Sequence, residues 1–185
     1  MRKIILNLAV SLDGFIEGLN GETDWCIMDD DMKFEDFISG IDTILYGRVS
    51  YDAWGTFAPE SDAGVKEQQL WKDIHSKNKI VFSSNFRPPH DKTVFISSDI
   101  AKHMKLLKQQ QGKDIWLYGG AGLIRSFIEL DLIDIYKISV HPIVLGKGKP
   151  LFEDLKHRIP LQLQNTRVFR SGVVELEYRP ESGLH

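Results

Sequence analysis

The sequence predicts an α/β fold: a mainly parallel central sheet with an antiparallel C-terminal edge, covered by helices on both faces. Three observations predict it. Over the first two-thirds of the chain, short apolar runs alternate with stretches of helical periodicity. In the last third the pattern becomes strand-like, with Arg170-Ser171-Gly172 as a hairpin signal between two runs. The apolar runs of the first part also end on glycine or small polar pairs: Gly47-Arg48, Ser83-Ser84, Ser97-Ser98 and Gly119-Gly120. In a parallel sheet, ligands bind beyond these carboxyl ends.

The elements follow in order. Residues 4–10 read as a buried strand, and 11–26 as a long loop with Gly14, Gly18, Asn20 and Gly21. Asp29-Asp30-Asp31 opens a helix, because carboxylates suit a helix N-terminus, and Phe34, Phe37, Ile38 and Ile41 form its apolar face. A strand at 43–46 ends at Gly47-Arg48, and a short helix follows around 50–54. After a loop at 55–64, residues 65–75 are helical, with Leu70, Trp71 and Ile74 on one side. Strands follow at 79–82 and 93–96, and Asp99 caps a helix running through Lys108. The strand at 114–118 enters the glycine turn, and the helix at 123–130 turns Leu123, Ile124, Phe127 and Ile128 inward. Strands at 133–140, 161–169 and 173–178 complete the chain. Residues 1–180 are expected to form a single domain and 181–185 a tail.

Composition narrows the function classes. Hydrophobic residues are 42% and charged residues 26% of the 185, an ordinary globular balance. A net charge of -3 disfavours nucleic acid as a partner. No stretch is long enough to span a membrane. The apolar start is broken by Asn7 and Asp13 and lacks a small-residue cleavage site, so it reads as a strand rather than a leader. The one cysteine, Cys26, rules out a disulfide within the chain and favours the cytoplasm. The six histidines are scattered and no metal site is expected.

The chemistry is expected at the strand ends. Gly119, Gly120, Ala121 and Gly122 let an anion approach the backbone, and the following helix presents free N–H groups to it. Gly47, Arg48 and Ser50 form a second such turn, with a guanidinium to grip phosphate and a hydroxyl near the helix start. Ser83, Ser84, Ser97 and Ser98 are plain turn residues by themselves and ribose-phosphate ligands beside a cofactor. Asp13 orients a substrate or is simply part of an Asp–Gly turn. Gly146-Lys147-Gly148-Lys149 is a basic turn, not a phosphate loop, because Pro150 stands where a Ser or Thr should open a helix.

The order Ser-Leu-Asp-Gly-Phe-Ile, Asp-Thr-Ile-Leu-Tyr-Gly-Arg-Val-Ser-Tyr, Val-Phe-Ser-Ser and Trp-Leu-Tyr-Gly-Gly-Ala-Gly-Leu-Ile resembles the dihydrofolate reductase-like superfamily. The late stretch from His141-Pro142 to Gly146-Lys147-Gly148, then Leu151-Phe152, is similar to the reductase domain of bacterial riboflavin-biosynthesis deaminase–reductases. The resemblance spans about residues 3–178 and implies the three-layer dihydrofolate reductase-like fold and an NADPH-dependent reductase. By it, Gly47, Arg48 and Ser50 meet the cofactor phosphates, and Ser83 and Ser84 the adenosine end. Ser97 or Ser98 flanks the 2′-phosphate, residues 119–122 cradle the diphosphate, and Ala9 lines the nicotinamide site. The catalytic carboxylate falls at Asp30 or Asp31. Asp13 matches the aspartate of the family's first-loop motif, and Trp25 stands where an aromatic residue is common. Tyr118 is a further proton-donor candidate.

The resemblance also implies a homodimer and a small-molecule substrate, reduced at a C=N or C=O bond of a pyrimidine, pterin or carbonyl compound. One such substrate is 5-amino-6-(5-phosphoribosylamino)uracil. Two departures stand out. The acidic stretch Asp29-Asp30-Asp31 and then Tyr51-Asp52-Ala53-Trp54-Gly55 replace phosphate-handling segments, and an acidic mouth repels a phosphorylated substrate. The zinc deaminase signature has no counterpart. A reading from another class is a non-catalytic nucleotide-binding sensor that keeps the fold.

Overall fold

The structure is a computed structural model that describes residues 1–85 and 87–181; the last four residues of the expected tail lie outside the described residues. Its strands are β1 (Ile4–Ser11), β2 (Phe15–Glu17), β3 (Ile41–Gly47), β4 (Asn78–Phe82), β5 (Thr93–Ile96), β6 (Asp114–Gly119), β7 (Ile135–His141), β8 (Lys149–Pro150), β9 (Leu161–Val168) and β10 (Val174–Pro180). Its helices are α1 (Phe34–Ser39), α2 (Arg48–Ser50), α3 (Val65–His75), α4 (Ile100–Gln109) and α5 (Ala121–Glu129). A wider turn, Tyr51–Gly55, continues α2.

Eight strands form one sheet in the order β5-β4-β3-β6-β1-β7-β10-β9. From β5 to β7 every pairing is parallel, and β10 runs antiparallel to both β7 and β9. This is the expected mainly parallel sheet with an antiparallel edge.

Side-chain alternation sorts the core into two layers. On one face Ile4, Leu6, Val10, Leu45, Ile115 and Leu117 pack against Met104 of α4 and Leu123, Ile124, Phe127 and Ile128 of α5. On the other, Ile44, Tyr46, Val81 and Trp116 pack against Ile38 of α1, Tyr51 and Ile74 of α3. Burying Phe127, which is 0% exposed, contributes about 1.5–3 kcal/mol.

Three local expectations are corrected. The acidic run does not open a helix: Asp30–Met32 is a single 3₁₀ turn, and Lys33, at φ 49°, separates it from α1. Asp99 does not cap α4 with its side chain, because its backbone is left-handed, at φ 53°. The loop after β1 is not wholly irregular, since β2 pairs with β8 across a distance the sequence does not reveal. Among the described residues, no helix is long and apolar enough to cross a membrane.

Candidate active site

The two glycine turns meet because β3 and β6 are parallel neighbours, with Tyr46 in register with Gly119. A Cβ placed on Gly47 would lie 3.3 Å from the Gly120 nitrogen, so the two backbones are in direct contact. A Cβ on Gly120 would lie 2.9 Å from Ser50 Oγ. Gly119 has φ +124°, a conformation that glycine alone adopts without strain, and its peptide bond to Gly120 is cis. Next comes α5, with Gly120 as its N-cap residue and, among the described residues, no side-chain cap hydrogen bond. The initial N–H groups of a helix lack partners within the helix, and the positive end of its dipole adds to their pull on an anion. Gly122 faces open space.

Arg48 runs outward from this point. Its Nη1 donates to Asp52 Oδ2 at 3.1 Å, and Arg87 reaches the same carboxylate at 2.6 and 3.2 Å. Arg87 also lies over the Phe95 ring, 5.7 Å from its centroid. The hydrogen bonds from Arg87 and, secondarily, Arg48 hold the Asp52 carboxyl below its usual range. The two serine pairs follow neighbouring strands, since Phe82 is in register with Ile96. Ser83 is buried and turned to its own loop, where its Oγ accepts from Asn85 N and donates to Asn85 O, both at 3.1 Å. Ser84, Ser97 and Ser98 are exposed. Gly47, Arg48, Ser50 and residues 119–122 are therefore brought together, with the serine pairs at the far end of the same sheet edge.

Of the other candidates, Tyr118 and Ala9 lie on the face of the sheet that carries α1. Tyr118 packs on Tyr46 and Trp116, with ring centroids at 4.9 and 5.0 Å. Burial, and secondarily the neighbouring Cys26, pushes its phenol well above the usual value, so it keeps its proton at neutral pH. Burial likewise raises the Cys26 thiol to about 11. Tyr46 Oη is buried with no hydrogen-bond partner among the described residues. Ala9 is half-buried, in register with Ser139.

The three candidate carboxylates separate clearly. Asp30 is exposed and pairs with Lys66 at 3.0 Å. Asp31 is docked on the β9–β10 turn: its Oδ2 accepts from Arg170 N at 3.3 Å, its carbonyl from Arg167 at 3.3 Å, and its Oδ1 is buried with no hydrogen-bond partner among the described residues. Asp29 Oδ2 accepts from Ser171 N at 3.1 Å on the same turn. Asp13 lies apart from both. Its carboxylate accepts from Ser11 Oγ at 2.6 Å, Leu145 N at 3.1 Å and Gly146 N at 2.7 Å, and these bonds, led by Ser11, hold its carboxyl below the usual range.

Sequence reasoning passed over His141. It ends β7, is 2% exposed, accepts from Ile27 N at 3.2 Å through Nδ1, and meets the edge of Trp25 at 5.5 Å. Burial lowers its pKa, so the ring is neutral. The Lys137–Glu175–Arg167 cluster was also passed over. Only the alternation of residues 173–178 hinted at it, by putting Glu175 and Glu177 on one face.

Comparison with known proteins agrees with this fold. The chain matches the RibD C-terminal domain over residues 2–175. It is 56% identical over 177 residues to the uncharacterized protein YyaP of Bacillus subtilis (strain 168), covering 96% of this chain and 94% of YyaP. A crystal structure of a proposed riboflavin biosynthesis protein from Shewanella sp. PV-4 superposes with a TM-score of 0.79 at 23% identity, covering 98% and 99% of the two chains. The deaminase/5-amino-6-(5-phosphoribosylamino)uracil reductase of Thermotoga maritima gives 0.69 at 17%, covering 97% of this chain and 57% of that one. Dihydrofolate reductase of Enterococcus faecalis, complexed with NADP(H), gives 0.67 at 14%, covering 97% of each. These likenesses show a dihydrofolate reductase-like fold. With nearly its whole length matched, the chain belongs to the RibD C-terminal domain family, a reductase-like family of the riboflavin pathway.

Proposed function

We propose that this protein is an NADPH-dependent reductase that acts on a C=N or C=O bond of a small pyrimidine-, pterin- or carbonyl-type molecule. One observation carries the reading: Gly47, Ser50 and Gly120 converge at the uncapped start of α5, in a cradle that a single Cβ would begin to fill. That cradle suits a dinucleotide diphosphate. When bound, the nicotinamide supplies the hydride, and the protein supplies position and charge.

In this reading the amides of Ala121 and Gly122 and the Ser50 hydroxyl hold the diphosphate. Arg48 and Arg87, which share Asp52, form the outer, more positive end and take the 2′-phosphate. The exposed Ser84, Ser97 and Ser98 line the adenosine side. Ala9, which has no bulky side chain, leaves room beside the sheet for the nicotinamide. Asp31 offers Oδ1 to an N–H of the substrate, and Tyr118, which keeps its proton, is the donor on the opposite side. The exposed edge of β9 is the surface through which a homodimer would form.

The test is fluorescence titration with NADPH and NADH, followed by NADPH oxidation across a panel of pterins, pyrimidines and carbonyl compounds. Binding at micromolar concentration with oxidation of a panel member is expected. Binding without any oxidation would favour the nucleotide sensor, and no binding of either nucleotide at about 1 mM would remove both readings.

A further inference from the structure

The α1 face of the sheet holds a row of residues that starts at Ala9 and runs away from the cofactor cradle. Across β1, β7, β10 and β9, Ala9, Ser139, Glu175 and Arg167 stand side by side in register. Lys137 lies two residues from Ser139 and so shares the face. Glu175 is 8% exposed. Its Oε1 lies 3.2 Å from Lys137 Nζ and 3.8 Å from Arg167 Nη1.

The remaining donors around this row are engaged as well. Arg167 Nη2 donates to the Asp31 carbonyl, and the Arg170 and Ser171 amides donate to the carboxylates of Asp31 and Asp29. Two cations and two turn amides, the kind of set that holds a phosphate, are thus each bound to an acceptor of the protein itself. The carboxylate paired with both cations is that of Glu175.

We propose that Glu175 is a specificity-determining residue: by engaging both Lys137 and Arg167, it closes the substrate side to phosphate esters and leaves it to an uncharged, planar, hydrogen-bonding ring. This rests on the reductase reading for the position of the substrate, because Ala9, at the head of the row, is the residue placed beside the nicotinamide. A phosphate monoester brings about two negative charges. To be held here it must displace the Glu175 carboxylate from Lys137, leaving a buried carboxylate uncompensated, and it must also lie close to Asp31. A neutral ring meets neither obstacle, and it finds in Asp31 Oδ1 a free acceptor for an N–H group.

The test uses the full chain saturated with NADPH, so that the cofactor groove is closed to competing phosphate. Ribose 5-phosphate is the probe, followed by backbone amide NMR at Ser139 and Leu176. Wild type is expected to show no saturation up to about 10 mM, and Glu175→Gln to bind at least about tenfold more tightly. Adding Lys137→Met to that variant removes the gain, a result that a purely structural role for Glu175 would not produce. Saturation of wild type below about 1 mM, or no gain in Glu175→Gln, overturns the proposal. Saturation of wild type overturns the proposal even if Glu175→Gln does not fold, and Glu175→Ala, read in the same way, then supplies the variant. Nicotinamide fluorescence in the same samples reads the reductase proposal separately: without NADPH binding that proposal fails, while the charge pairing is still read at Ser139 in the free protein.

Discussion

Ser50 Oγ lies 2.9 Å from the position that a Cβ on Gly120 would occupy, although 70 residues separate the two in the chain. Their closeness follows from the parallel pairing of β3 with β6, which delivers two glycine turns to one point.

Gly120→Ala therefore fills the space in which the diphosphate is proposed to lie. The backbone at Gly120, φ -84° and ψ -174°, suits alanine, and the contacted atom ends a short mobile side chain, so the fold survives. NADPH affinity is expected to fall about tenfold or more, read by fluorescence titration, with a thermal midpoint close to wild type. An unchanged affinity would remove this turn from the cofactor site.

Arg48→Ala distinguishes the two phosphate positions. Arg48 points away from Gly120 toward Asp52 and Arg87, on the side of β5. NADPH binding is expected to weaken about tenfold and NADH binding much less. Equal losses would move Arg48 to the diphosphate.

Asp30 and Asp31 are expected to behave differently. Asp30→Ala removes an exposed ion pair and should change stability by less than about 0.5 kcal/mol, with turnover unaffected. Asp31→Asn alters the buried, unpartnered oxygen and should lower kcat about a hundredfold on any substrate found. Similar turnover in both variants would contradict the assignment of Asp31.

His141 should impose a pH dependence on stability. Its pKa is lowered in the folded chain, so above about 6.5 it is neutral in both folded and unfolded states and contributes no slope. As pH falls below that value, the unfolded chain takes up the proton first and stability declines, until the folded ring is itself protonated. Because Nδ1 accepts from Ile27 N, that protonation also breaks the bond holding residues 25–27. Denaturant midpoints across pH 7 to 5, together with hydrogen exchange at the Ile27 amide, check this. His141→Gln should flatten the slope. Asp13 acts in the same sense at lower pH: its stabilising bonds persist above the ordinary carboxylate range and fade as pH drops through its lowered folded pKa.

Much of the fold was legible because alternation and helical period are local. Residues 115–118 alternate between two buried faces, and the span of α3 follows from its apolar stripe. The meeting of the two glycine turns was legible for a related reason: the ends of neighbouring parallel strands lie along one edge of the sheet, so separate turns can be read together. The surroundings of Asp13, Asp31 and Glu175 were not, because they depend on pairings between distant residues. Nothing local to Asp13 says that it will hold Leu145 and Gly146, and nothing near Glu175 says that Lys137 and Arg167 will flank it. The acidic run at 29–31 was misread for the same reason, since Asp29 and Asp31 bond the amides of a turn about 140 residues later.

Diffraction from a crystal of this protein soaked with NADPH tests the cofactor cradle most directly. The diphosphate is predicted to lie against the Ala121 and Gly122 amides and the Ser50 hydroxyl, with the 2′-phosphate between Arg48 and Arg87 and the nicotinamide beside Ala9. Nucleotide density at any other place on the molecule, or none there under saturating NADPH, would contradict it.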